Sequence, residues 1–134
     1  MSMVDEIADY LDATGHGTLA TDLFRRHAPD DPDDLLCVIQ LDGEDGEFVQ
    51  NTPMIDQERP LLQVWARSAN PATAETMING PYLELMKVRN QVIGGTRYTR
   101  IAPLHAPVVF EVDENGRYIA RVDFRVRKEL SSGA

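Results

Sequence analysis

Apolar residues recur along this chain with two different periods, and the period separates helices from strands. Val4, Ile7, Ala8 and Leu11 follow in three- and four-residue steps behind Ser2, with Asp5 at the third helical position, which predicts a helix from about Met3 to Thr14. Gly15 and Gly17, with His16 between them, supply the stop. Leu19, Leu23 and Phe24, together with β-branched Thr18 and Thr21, predict an extended segment from Thr18 to His27. The turn Pro29-Asp30-Asp31-Pro32-Asp33-Asp34 leads into Leu35 to Leu41, an almost continuous apolar run that fits a strand buried on both faces.

The second half repeats this punctuation. Leu61 to Ser68 alternates, with Leu62, Val64 and Ala66 on one face and Leu61, Gln63, Trp65 and Arg67 on the other. Asn70-Pro71 reads as an N-cap followed by proline at the first helical position, where the missing N–H costs nothing. A helical stripe of Ala74, Met77, Ile78, Tyr82, Leu85, Met86, Arg89 and Val92 then predicts a long helix to about Ile93, kinked or split at Gly80-Pro81 and closed by Gly94-Gly95. Thr96 to Leu104 reads as extended. Pro107 to Asp113 and Arg117 to Arg127 form a predicted hairpin on a type I′ Asn115-Gly116 turn, with Tyr118, Ala120, Val122, Phe124 and Val126 facing the core.

The predicted fold is therefore α+β: a mixed, mainly antiparallel sheet of about four to five strands packed against an N-terminal helix and a longer central helix, in one domain spanning 1–134. Residues 42–60 fit no regular element. Their length and the apolar Phe48, Val49, Met54 and Ile55 predict a projecting arm or docking loop.

Composition supports one packed core, since 43% of residues are hydrophobic and 26% charged. There is no run of eighteen apolar residues, and the N-terminus Met1-Ser2-Met3-Val4-Asp5-Glu6 is acidic where a secretory signal is basic, so neither a membrane span nor export is expected. Cys37, the sole cysteine, lies in an apolar run and is expected to be buried and unbridged. The net charge of −9 disfavours general nucleic-acid binding. It is unevenly placed: residues 1–60 hold fifteen acidic and three basic residues, whereas residues 61–134 hold seven acidic and ten basic. Such a chain can meet copies of itself head to tail; a solvated acidic surface is the alternative.

No catalytic constellation emerges. His16, His27 and His105 lack metal-binding spacing, and the acidic runs 30–34 and 42–47 do not match the ligand pattern of a calcium loop. Phosphate-cradling, dinucleotide-binding and nucleophile-elbow motifs are missing, so neither a cofactor nor a metal is expected. Arg121, Arg125 and Arg127, with Arg67 on a neighbouring strand, line one predicted sheet face. They read either as a subunit interface that receives an acidic surface or as a solvated face laced with ion pairs.

The order of elements and several local patterns resemble the minor capsid or tail-terminator proteins of long-tailed bacteriophages. The resemblance is carried by Gly15-His16-Gly17-Thr18-Leu19, Thr21-Asp22-Leu23-Phe24, Pro29-Asp30-Asp31-Pro32-Asp33, the strand Pro60 to Ser68, the long helix after it, and the closing Asn115-Gly116-Arg117 hairpin with Phe124. Gly80-Pro81 departs from the pattern. The resemblance implies a structural virion protein made in the host cytoplasm, without catalytic residues. It implies a six-fold ring that caps the tail tube, ends tail polymerisation and joins the tail to the head connector, with DNA passing through without sequence-specific contact. Its partners would be copies of itself, the tail tube protein and the connector or stopper protein. Two other readings stay open from the residues: a head–tail joining or stopper protein, and a small host ligand-binding or hydrolytic domain.

Overall fold

The computed structural model describes residues 2–41 and 57–129. The docking-loop residues Phe48, Val49, Met54 and Ile55 lie outside the described residues.

Helix α1 spans Met3–Ala13 and carries the expected cap. The Ser2 hydroxyl accepts from the Asp5 N–H at 3.2 Å, and the Ser2 N–H donates to the Asp5 carboxylate at 3.3 Å. Its end is closed by two bonds of a Schellman motif: Gly15, at φ +87°, donates to Asp12 O at 3.1 Å and His16 donates to Leu11 O at 2.9 Å. Val4, Ile7, Ala8 and Leu11 are all buried.

Strand β1 covers only Leu23–Arg25, shorter than expected. The residues before it form a tight turn because the Thr18 carbonyl accepts the N–H groups of Thr21, Asp22 and Leu23, while the Asp22 carboxylate takes the Thr18 N–H at 2.7 Å. Local side-chain bonds of this kind compete with a ladder. Strand β2 (Leu35–Gln40) pairs parallel with β1 and places Leu35, Leu36, Cys37 and Val38 in the interior, as the apolar run predicts. The two-residue β3 (Gln57–Glu58) follows, then β4 (Leu61–Ser68).

Helix α2 runs from Pro71 to Met86 behind its Asn70 cap, whose side-chain oxygen accepts from Ala72 and Thr73. Of the kink or split expected at Gly80-Pro81, the split does not occur, since the helix is continuous through Pro81. Its end is a correction: it stops at Lys87, seven residues short of its predicted closure at Gly94. Gly80 serves a close approach instead of a break: a Cβ there would sit 2.7 Å from Nδ1 of His16. Arg89–Ile93 is strand β5, entered through Asn90 at φ +46°. Gly94 and Gly95, at φ +61° and +88°, form the two-residue turn that pairs Ile93 with Thr96 of β6 (Thr96–Pro103). Positive φ at both turn positions is the signature of a type I′ hairpin.

The last hairpin joins β7 (Val108–Val112) to β8 (Tyr118–Glu129). Its loop is also a correction. Asp113 pairs with Arg117 around a three-residue loop in which Gly116 alone has positive φ, at +76°, so the turn is a β-turn followed by a left-handed glycine.

These strands form one eight-stranded sheet in the order β1-β2-β4-β8-β6-β5, mainly antiparallel, with β3 and β7 also pairing to β8. The count exceeds the expected four to five because β5 was masked by a helical stripe and β3 is too short to show a period. Strand β8 is the hub. Tyr118 to Arg125 pair with β4 on one edge; on the other, Tyr118 to Arg121 pair with β7 and Phe124 to Lys128 with β6. The register sets Val64 opposite Val122, Leu62 opposite Phe124 and Ile101 opposite Val126, one apolar face that takes Ile78 and Leu85 of α2 and Ile7 and Leu11 of α1 into a single core.

Candidate functional site

Alternation sends every second residue of β4 and β8 to the sheet face turned away from the helices. Across it Gln63 stands opposite Asp123, Trp65 opposite Arg121, Leu61 opposite Arg125 and Arg67 opposite Ile119. The face is polar, ordered at its centre and different at its two ends.

At one end two buried arginines hold the acidic turn. Nη2 of Arg67 donates to the carbonyls of Pro29, Asp30 and Pro32 at 2.7, 3.1 and 2.8 Å, and its Nε reaches Asp33 O at 3.4 Å. Arg117, on the same face and immediately before β8, donates to Asp30 O at 2.6 Å and to the Asp113 carboxylate at 2.8 Å. Both guanidinium groups are buried, at 5% and 6% residue exposure. Burial first, and then the charge of Arg117, pulls the Arg67 pKa below its ordinary value. Because the turn is gripped by its carbonyls, its carboxylates project: the Asp30 and Asp33 side chains are 94% and 63% exposed. Asp31 and Asp34 are exposed as well.

In the centre, Gln63 Nε2 donates to Asp123 at 2.8 Å and Nε2 of His105 meets the other Asp123 oxygen at 3.1 Å, while Nδ1 of His105 faces Ala106 O at 2.7 Å. Both ring nitrogens face acceptors, which only the imidazolium satisfies. The Ala106 carbonyl first, and the Asp123 carboxylate second, raise the His105 pKa. Its contribution to stability is therefore complete below the unfolded value of about 6.5 and is lost as pH rises through the higher folded value. With His105 one-third exposed, the effect is below about 1 kcal/mol. Thermal midpoints of the parent and His105→Gln should differ at about pH 5.5 and converge in alkaline buffer; a gap that does not change with pH would contradict this assignment.

At the far end the face turns basic. Arg125 donates to Arg59 O at 2.8 Å, and Arg127 is exposed directly opposite exposed Arg100 on β6. Among the described residues neither Arg100 nor Arg127 has an ion pair. Of the arginines expected together, Arg121, Arg125 and Arg127 thus share one face with Arg67, but Arg67 is engaged by the turn at the opposite end.

Among the described residues, nothing in this arrangement prepares a nucleophile. Burial pushes the Cys37 thiol up to about 11, and His16 is engaged with Glu84 at 3.0 Å. Among the described residues no group of histidine, cysteine or carboxylate side chains is placed to hold a metal ion, and no helix is long and apolar enough to cross a membrane. The structure also contains anchors that the periodicity does not reveal. Glu6, 2% exposed, accepts from Thr96 Oγ1 and the Tyr98 hydroxyl, each at 2.8 Å, and thereby ties α1 to the β5–β6 hairpin. Burial, then the bond to Glu6, pushes the Tyr98 pKa far above its ordinary value, so the hydroxyl stays a donor.

Among solved structures, the chain is similar to a chain of the virion of a native gene transfer agent particle, with a TM-score of 0.63, 16% sequence identity, and coverage of 96% of this chain and 99% of that one. At that identity the likeness shows the fold. No curated protein sequence matches. The model of the bacteriophage tail terminator protein family matches residues 10–130, which span the end of α1, all of α2 and every strand of the sheet. The chain belongs to the bacteriophage tail terminator family.

Proposed function

We propose that this structural virion tail protein closes a ring of identical subunits, six by the family resemblance, on the end of the tail tube. The ring ends tube polymerisation and joins the tail to the head connector, and DNA passes through it. The observation that carries the reading is the separation of charge along one sheet face: an acidic turn held by Arg67 and Arg117 at one end and Arg100, Arg125 and Arg127 at the other. Rings need heterologous contacts whose two sides differ, and such a subunit offers both sides. In this reading Arg121, Arg125 and Arg127 face the neighbouring subunit, and Arg67 serves the contact by shaping the turn. Phe48, Val49, Met54 and Ile55 serve as docking residues toward the tube or connector.

Mass measurement of the purified protein, alone and after addition to tail tubes, tests the proposal. The expected result is a closed ring in at least the tube-bound state. A monomer in both settings refutes it.

A further inference from the structure

We infer that the basic end of the sheet face, Arg100 with Arg127, receives the acidic turn 29–34 of the next copy of this chain. The inference rests on the ring reading above and adds the identity of the two contacting surfaces. Two independent observations carry it.

The first is a like-charge pair. Arg100 and Arg127 stand directly opposite each other across the β6–β8 ladder, both exposed and without an ion pair among the described residues. Like charges at directly opposed positions destabilise an isolated sheet, so the site is unfavourable until an anionic group covers it. The second is the construction of the acidic turn. Arg67 and Arg117 fix its path through backbone carbonyls and leave Asp31 and Asp34 projecting, with no ion pair of their own among the described residues. An acidic turn already held by these bonds loses less conformational entropy on docking than a free loop would, which favours it as a recognition element.

The two surfaces cannot meet within one chain. Arg117 grips the turn at the start of β8, and Arg127 lies ten residues further along the same strand, about 33 Å away at the rise of an extended chain. The contact must form between copies, and because knob and receiver differ, it propagates head to tail in one direction until the ring closes.

Charge reversal in both partners tests this. Asp31→Arg with Asp34→Arg, and separately Arg100→Glu with Arg127→Glu, should each lower ring yield at least about tenfold while leaving the thermal midpoint near the parent's, because all four side chains are exposed. Mixing the two purified variants should restore rings, since each junction then joins an arginine knob to a glutamate face or an aspartate knob to an arginine face. The chain carrying all four reversals should assemble alone. Rings that persist in both double variants overturn the inference while leaving the ring reading intact. Loss of rings in both, without recovery on mixing or in the fourfold variant, overturns the pairing of these two surfaces. Loss in the arginine variant alone, accompanied by lost binding to a duplex oligonucleotide, assigns the face to nucleic acid and also overturns it. If the parent itself forms no ring in solution or on tubes, the ring reading falls and the inference with it.

Discussion

Replacing Arg67 with alanine should lower the thermal midpoint by about 10 °C. The side chain is 5% exposed and donates to four turn carbonyls. Hydrogen bonds from a charged donor contribute about 1.5–3 kcal/mol each, but these carbonyls gain water once the turn loosens, so the losses do not add and a total near 3 kcal/mol is expected. For a domain of this size each kcal/mol moves the midpoint by about 3–5 °C. Arg67→Lys should recover less than half of the loss, because its ammonium falls one bond short of the Nη2 position on which three carbonyls converge and replaces no Nε bond to Asp33. Calorimetry on the three proteins decides the point; a midpoint within about 2 °C of the parent for Arg67→Ala would show that the turn holds itself.

A second large effect is expected at Gly94. Its φ of +61° already costs a substituted residue about 1–2 kcal/mol, and a Cβ would lie 2.8 Å from Cγ of Glu6, which is buried and has no room to swing away. Gly94→Val should therefore displace the Glu6 carboxyl from Thr96 and Tyr98 and lose about 4 kcal/mol in total. Gly95→Val is the internal control. Its φ is +88°, yet nothing lies within 4 Å of the added Cβ, so it carries the backbone cost alone. Equal destabilisation at the two glycines would mean that the Glu6 anchor contributes nothing.

These two sites also mark where sequence reading succeeds and where it stops. Features encoded within a few residues were legible: the Ser2 capping box, the Asn70-Pro71 start, and the alternation that sends Val64, Val122 and Phe124 to one face and Trp65, Arg121 and Arg125 to the other. The tail of α2 was misread because Arg89 and Val92 extend the spacing of Leu85 by helical steps, whereas their actual state is decided by pairing with β6 across the Gly94-Gly95 turn. Turn chemistry was exchanged for a similar reason. Gly94-Gly95 supplies the two positive φ values expected of Asn115-Gly116, and at the latter the Asp113 carboxylate draws the Asn115 and Arg117 N–H groups into a longer loop. Arg67 and Glu6 are unreadable as anchors because their partners lie 38 and at least 90 residues away in the sequence, so only the folded topology brings donor and acceptor together. The arginine face itself is visible in the alternation. Its division into an end that grips the turn and a basic end is not, because that depends on where the turn 29–34 lands.

The most direct test of the account is electron cryomicroscopy of finished tails assembled with this protein. The expected image is one closed ring of six copies at the head-proximal end of the tube, with the turn 29–34 of each copy seated on Arg100 and Arg127 of the next. A single copy, an open arrangement, or the protein at the opposite end of the tail would contradict it.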